Sequence, residues 1–473
     1  MTFDAVVVGG GPNGLAAAIT IAEAGRSVVV LEANETVGGA AQTAELTLPG
    51  FRHDIGSAIH PLALASPFFR THDLTAHGLK WINPPAAAGH PLDDGRAAIA
   101  WLDLERTATG LGADAKNYRR YYNGWVKEFD ALTDLSLRPL VRVPSKPIFA
   151  ARFGAASALP AATTARRSFD TDEAQALFAG HAAHAILPLT TPFTSSFGIL
   201  LGASAHAVGF PFPERGAASI TDAMVSMLIA LGGEIRTNTP VRTFDDIPTT
   251  TSIIFALTAR QVEAIAGSAF TDAYRNDLRS FAYGPAAWKL DLALSEPIPW
   301  SNPELRNTAT VHVGGSLDEI AAAEASVADG RPAERPFVLL AQHSLFDPTR
   351  APAGQHTCWA YSHVPNGCDV DQTDAILRQI ERFAPGFRDT IIGTHVSSPA
   401  ALERQNMSLI GGDIGGGSYA GSQLFFRPRK QANPFDTPSP HVFMGSASTT
   451  PGAGVHGMGG HGAALRALAT ILR

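Results

Sequence analysis

The sequence predicts an α/β protein of two domains, one of them built on a parallel sheet. Three observations carry that expectation. The chain has 473 residues, too many for one simple core. Strand-like and helix-like segments alternate at its start, the pattern of parallel strands joined by crossover helices. After a long alanine-rich stretch the chain returns to strands that read as a mixed sheet.

The elements follow in order. FDAVVV at 3–8 is a continuous apolar run, as expected of a strand buried on both faces. Residues 13–24 read as a helix stopped by Gly25, and SVVVLE at 27–32 as the next strand. From about 85 to 215 the chain reads as mostly helical. WLDLERTATGLGADAKNYRRYYNGWVKEFDALT is its clearest amphipathic part. Tyr118, Tyr121 and Tyr122, with Arg119 and Arg120, read as a solvated helix face. Residues 218–231 read as a helix, and GGEIRTNTPVRTF as a glycine stop and a strand. AAWKLDLAL at 286–294 alternates like a strand with one wet face. Residues 338–341, 357–363 and 441–444 read as further strands, before a terminal helix.

Composition narrows the function classes. Hydrophobic residues make up 45% of the chain and charged residues 17%, with a net charge of −7. That balance argues against nucleic acid as a partner. Two cysteines, Cys358 and Cys368, make no disulfide framework and suit a reducing cytoplasm. The chain is uncharged from Ala5 to Ala22. Asp4 and the lack of a basic leader argue against a signal peptide, and the GGGPNG break argues against a spanning helix. A second uncharged stretch runs from Ala176 to Pro213 and is cut by four prolines. It reads as buried helices, as the wall of an apolar substrate cavity, or as a surface that dips into a membrane.

The strongest chemistry lies in VVVGGGPNGLAAAITIAEAGRSVVVLEANETVGG. Gly9, Gly11 and Gly14 form G-x-G-x-x-G between a predicted strand and a predicted helix, the setting a dinucleotide requires. Gly9 allows the tight turn, Gly11 lets a pyrophosphate approach the backbone, and Gly14 lets the helix pack close to the strand. The helix N-terminus then faces the phosphates. Glu32 follows Gly14 by eighteen residues, at the end of the second strand, where a carboxylate accepts hydrogen bonds from a ribose diol. No second such motif stands in a strand–helix setting; GGDIGGGSYAG at 411–421 lacks the following helix. A dedicated nicotinamide domain is therefore not expected.

The pair Gly38-Gly39 after Glu32 resembles the pattern of large FAD-binding oxidoreductases. GGDIGGGSYAGSQLFFRPR (411–429) and TPSPHVFMGSASTTPGAGVHGMGGHGAA (437–464) sharpen this. They resemble the C-terminal signature of the phytoene dehydrogenase-like flavoproteins, the group of carotenoid desaturases and isomerases and of retinol saturase. That group is a branch of the monoamine-oxidase-like superfamily. The resemblance covers nearly the whole chain and is most specific at 5–61 and 411–465.

It implies a Rossmann-type FAD-binding domain from 1–75, 215–280 and 435–473. Interleaved with it would be an α+β substrate domain of mixed sheet and helices from 76–214 and 281–434. FAD, bound non-covalently, would be held at the N-terminal end by Gly9, Gly11, Pro12, Asn13, Gly14, Glu32, Ala33, Gly39 and Ala40. Gly56 and Ser57 of GFRHDIGSAIHP would lie beside the ring, and Val241 of the strand VRTF on the adenine side. Gly445, Ser446, Gly454, Val455, His456, Gly457 and Met458 would close over the cofactor. The terminal helix would aim its N-terminus at the flavin pyrimidine, where reduced flavin carries negative charge. Relatives carry a hairpin after VRTF for which RTFDDIPTTTSIIFAL leaves almost no room. Gly462 stands where relatives often have Asn, and Ala40 where amine oxidases have arginine.

Three residues are candidates for chemistry. Lys289 resembles the amine-oxidase lysine that holds a water at flavin N5. His456, in the flavin-facing loop, and His60, on the substrate side, could donate a hydrogen bond or a proton. The spacings His456-x4-His461 and His181-x2-His184 lack acidic or cysteine partners, so no metal is expected.

The function implied is that of an FAD-dependent oxidoreductase oxidising or desaturating a C–H bond of an apolar substrate by hydride transfer to N5. Electrons would pass to oxygen or a quinone. The alternatives are a flavin amine oxidase, which Lys289 favours and the lack of an aromatic cage in the C-terminal segment disfavours, and a redox-neutral isomerase or saturase using reduced FAD. A cytoplasmic protein is expected, with peripheral membrane contact open.

Overall fold

A computed structural model describes residues 3–139 and 142–473. Two large sheets organise it. The first has five strands, all parallel, in the spatial order Val442–Met444, Thr250–Phe255, Phe3–Val8, Val28–Leu31, Glu234–Arg236. The N-terminal strand takes the centre because it is apolar on both faces: Ala5, Val6 and Val7 are wholly buried. Strands from the start, middle and end of the chain therefore share one sheet. No hairpin separates Glu234–Arg236 from Thr250–Phe255; a single 3-10 turn, Phe244–Asp246, lies between them.

The second sheet has seven strands. Their order is Ile391–Ser397, Ala286–Leu294, His356–Val364, Val338–Ala341, Thr310–Val313, Ala86–Pro91, Ala97–Trp101. It is antiparallel except where Val311 pairs with Gly89.

The structure corrects several expectations. Residues 86–101, expected within a mostly helical region, form a hairpin around a turn in which Asp94 and Gly95 have φ of 62° and 73°. Alanine fits either periodicity, so AAAGHP and AAIAW gave no signal of their own. The strand Ala286–Leu294 has no wet face; all nine residues are buried. Its alternation is real, but the polar positions Lys289 and Asp291 face the protein interior. Tyr118 and Tyr122 are not solvated. Each is 1% exposed. The Tyr118 hydroxyl lies 2.8 Å from His206 Nε2, and the Tyr122 hydroxyl donates to the Gly198 carbonyl. Tyr118, Tyr122 and Trp125 make one i, i+4, i+7 face of the helix Ala115–Lys127, packed on the helix Ser195–Ala207. The strand expected through VRTF stops at Arg236, leaving Val241 in a loop.

The first helix, Pro12–Glu23, packs against the last, Met458–Thr470. Glycine sets their approach. A Cβ on Gly460 would lie 1.7 Å from the Asn13 carbonyl oxygen, and one on Gly14 would lie 1.9 Å from that of Gly9. Both obstacles are backbone, so neither can rotate away. Gly460→Ala is expected to cost about 2–3 kcal/mol through forced separation of the two helices. Gly110→Ala, with open space around it, is expected to be neutral or slightly stabilising. Urea unfolding of the pair checks this; equal stabilities would contradict it.

Among the described residues, no helix is long and apolar enough to cross a membrane.

Candidate functional site

A cavity of about 870 Å³ runs between the two sheets. It collects most of the residues expected from sequence: Gly9, Gly11, Pro12, Asn13, Gly14, Glu32, Ala33, Gly39 and Ala40 at one end, Gly56, Ser57, His60, Val241, Lys289, Ser446, Gly454, Val455 and His456 further along. Gly445, Gly457 and Met458 do not line it. Gly445 packs against Gly460 and Ala463 of the terminal helix, Gly457 turns against Ala16 and Phe68, and Met458 is buried beside them. The glycines before the terminal helix thus serve helix packing as much as the cavity.

The cradle at the N-terminal end is built by its own backbone. Gly9 has φ of +103°, open to glycine alone without strain. Glu32 receives the N–H of Gly10 on one oxygen, at 2.8 Å, and on the other the N–H and side-chain amide of Asn34, both at 2.9 Å. Its carboxylate is thereby fixed at the cavity edge beside Gly10, and the α-carbons of Gly11 and Gly39 face each other nearby along the same cavity.

The first turn of the terminal helix is partly satisfied within the protein. His456 Nδ1 accepts the N–H of Met458 at 3.1 Å, and the Gly460 N–H points at Asn13 Oδ1. This capping fixes the tautomer of His456: its proton sits on Nε2, which is buried and has no protein partner. Burial pushes His456 down to about 4. The Gly452 and Ala453 carbonyls near the ring oppose this, and at neutral pH His456 is a neutral ring at the cavity wall rather than a proton source. The Ser66 hydroxyl donates to its carbonyl and holds the loop. His60 is similar. Its Nε2 lies 3.0 Å from the Ser57 hydroxyl, its Nδ1 is unpartnered, and burial pushes it down to about 3.

Lys289, 3% exposed, reaches the cavity from its strand and pairs with Asp291 two residues on, on the same face. Asp291 is raised by burial, which the lysine opposes. His53 Nδ1 lies 3.6 Å from the other Asp291 oxygen, and Trp359 packs beside the ammonium. The segment bearing Gly56 and Ser57 is anchored here. The Trp359 indole donates to the Asp54 carbonyl at 2.9 Å, and His343 Nε2 donates to that of Ala58.

Sequence reasoning missed Trp359, Tyr361 and Thr310, which also line the cavity, as does His184 of the stretch 176–213. Alternation of large polar-tipped residues in HTCWAYSHV was the available signal for the first two. The stretch 176–213 supplies both buried helices and cavity wall, through Phe197, Leu200 and Phe210. Among the described residues no group of three or more His, Cys, Asp or Glu is arranged to hold a metal. His461 instead bonds the Thr20 hydroxyl.

Four histidines around this site, His53, His60, His343 and His456, are held by burial at about 3, 3, 4 and 4. The unfolded chain takes up protons below about pH 6.5 that the folded chain refuses, so their contribution to stability is full above that pH and is lost toward pH 4. The melting temperature is expected to fall steadily from pH 7 to pH 4.5; a flat profile would contradict the burial of these rings as neutral species.

Residues 7–71 match the family model of the NAD(P)-binding Rossmann-like domain. The chain is 24% identical to the rat pyridine nucleotide-disulfide oxidoreductase domain-containing protein 2, over 98% of this chain and 92% of that protein. It is 24% identical to the lycopene-forming phytoene desaturase of Pseudescherichia vulneris, over 96% of each. Putrescine oxidase, solved bound to putrescine, superimposes with a TM-score of 0.62 at 17% identity, over 100% of this chain and 99% of that one. These relatives are oxidoreductases, and the Rossmann-like domain together with the flavoenzyme fold points to a flavin-type cofactor. More particularly, the chain is similar in sequence to a hydroxyneurosporene desaturase and a phytoene desaturase and shares the fold of putrescine oxidase.

Proposed function

We propose that the protein is an FAD-dependent oxidoreductase that oxidises or desaturates a C–H bond of an apolar organic substrate and passes the electrons to oxygen or a quinone. The observation that carries this reading is the continuity of one cavity, from the glycine cradle at Glu32 to an apolar chamber floored by Trp359, Tyr361 and Leu339.

The residues fit FAD. The cradle offers bare backbone at Gly9, Gly11 and Gly39 and a fixed carboxylate at Glu32, suited to a pyrophosphate and a ribose diol. His456 adds a buried neutral ring to the cavity wall, its Nε2–H beside the Gly452 and Ala453 carbonyls. Neither Cys358 nor Cys368 lines the cavity, in keeping with non-covalent binding. Bound FAD supplies a hydride acceptor at N5. The chain's own work is to position and to exclude water. The segment 53–60 and the loop at His456 confine one side of the chamber, and the aromatic floor orients an apolar substrate. Lys289 reaches the cavity from its pair with Asp291, in a dry site where such polar groups act most strongly. That lysine also supports the amine-oxidase reading as the alternative.

The test is anaerobic photoreduction of the purified protein, followed by admission of air while the flavin spectrum is recorded. Reoxidation within seconds identifies an oxidase. Reoxidation over many minutes, accelerated by added quinone, identifies a dehydrogenase or desaturase. A purified protein without a flavin spectrum overturns the proposal.

A further inference from the structure

The mixed sheet lays two rows of side chains across the cavity floor. In one, Lys289 pairs with Tyr361, Tyr361 with Leu339, and Leu339 with His312. In the other, Asp291 pairs with Trp359, Trp359 with Ala341, and Ala341 with Thr310. Residues directly opposite in a sheet share a face, so these eight face the same way. The charged pair stands at one end. The interior is apolar or aromatic. Thr310 and His312 stand at the other end, three strand spacings or roughly 14 Å away.

That far end holds polar groups with nothing to bind. Thr310 is 1% exposed, lines the cavity, and its hydroxyl has no partner. His184, on the turn Ala183–Ala185 after the helix Asp172–Ala182, also lines the cavity and meets His312, two residues along the strand from Thr310. His184 Nε2 and His312 Nε2 are 3.1 Å apart, so one donates and the other accepts. His312 Nδ1 is buried and unpartnered. A buried bare acceptor is better tolerated than a buried orphan N–H. His312 therefore carries its proton on Nε2 and donates it to His184. His184 then carries its own proton on Nδ1, a nitrogen that no protein group engages. Burial keeps both rings neutral. The charged or titratable groups that act on them are other histidines, His90, His181 and His363.

We infer that the His184–Thr310 end of the cavity is a recognition site for a neutral, hydrogen-bond-accepting oxygen carried by an otherwise apolar substrate. The class is a long apolar ketone, aldehyde or alcohol, its oxygen about three strand spacings from the bond that reacts beside Lys289. The inference rests on the oxidoreductase reading above and deepens it. A carboxylate finds no cation at this end. An ammonium meets an N–H donor, which sets the site against amine substrates. His184 and Thr310 are specificity residues, and His312 is the positioning residue that fixes the His184 tautomer.

The experiment uses the flavin-loaded protein and matched probes: 2-undecanone, undecane and undecylamine. Affinity is read from the perturbation of the flavin visible spectrum at pH 7.5. The ketone is expected to bind about tenfold or more tighter than the alkane, from two hydrogen bonds made in a dry site. The amine is expected to gain nothing over the alkane. His184→Phe and Thr310→Val are each expected to bring ketone and alkane within about threefold. Should one variant lose its flavin, the other decides. Equal binding of ketone and alkane to the flavin-loaded wild type, or a preference that survives both substitutions, overturns the inference. Absence of flavin from the wild type is seen before any probe is added and overturns the oxidoreductase reading instead.

Discussion

Arg350→Met is expected to destabilise the protein by about 4 kcal/mol at pH 7, within the range for breaking a buried ion pair from one side. Arg350 is wholly buried. Its Nη2 donates to Asp54 at 3.0 Å and its Nε to Asp347 at 3.1 Å. Removing the guanidinium leaves two carboxylates in the interior. Asp54 keeps the Thr43 hydroxyl and the Ala217 N–H, which compensates only in part. Burial raises Asp54, but Arg350, His343 and the Ala217 N–H outweigh it and bring the group down to about 2. A depressed carboxylate contributes stability above its ordinary value near 3.8, lost as the pH falls through its folded value. The gap between variant and wild type is therefore expected to narrow below about pH 4. The effect reaches the site, because the Asp54 carbonyl holds Trp359 and the next residues carry Gly56 and Ser57. Flavin occupancy should fall along with stability. Guanidinium unfolding at pH 7 and pH 4 measures both the loss and its sign; a loss under 1 kcal/mol at pH 7 would refute the account.

Lys289→Met is expected to cost about 3–4 kcal/mol at pH 7, again by leaving a buried carboxylate alone. Here the acid behaviour follows from a raised group. Burial already raises Asp291, and loss of the lysine raises it further. The folded variant then binds a proton that the unfolded chain does not, so the variant regains stability as the pH falls and loses it as the pH rises through the folded value. Lys289→Met combined with Asp291→Asn is expected to recover much of the stability at pH 7 but not the rate of flavin reoxidation in air. Recovery of both would assign Lys289 a purely structural part. Unchanged stability of the single variant would mean that the pair is not buried as described.

The dinucleotide end of the site was legible in sequence because its chemistry is local. Gly9, Gly11, Gly14 and Glu32 lie within one strand–helix–strand unit, and their roles follow from backbone geometry that any such unit must meet. The terminal loop was legible for a related reason: a run of glycines before a helix signals close approach, although only the structure shows that Gly460 approaches Asn13. The misreadings share a cause. Alanine-rich strands at 86–101 carry no periodicity, Tyr118 and Tyr122 beside Arg119 and Arg120 look amphipathic in either direction, and Lys289 and Asp291 in an alternating strand look wet.

By itself the sequence determined the first strand–helix–strand unit, its glycine turn and the carboxylate that follows, since neighbours in the chain supply the necessary contacts. Tertiary structure alone decided that Arg350 is a buried counter-ion for Asp54, 296 residues away, and that His184 meets His312 at the end of the chamber. The last of these depends on strand order and register across the mixed sheet, which sets the face on which His312 stands. A one-residue slip there would turn the same side chains to the opposite face, and no local pattern in the chain specifies which strand becomes whose neighbour.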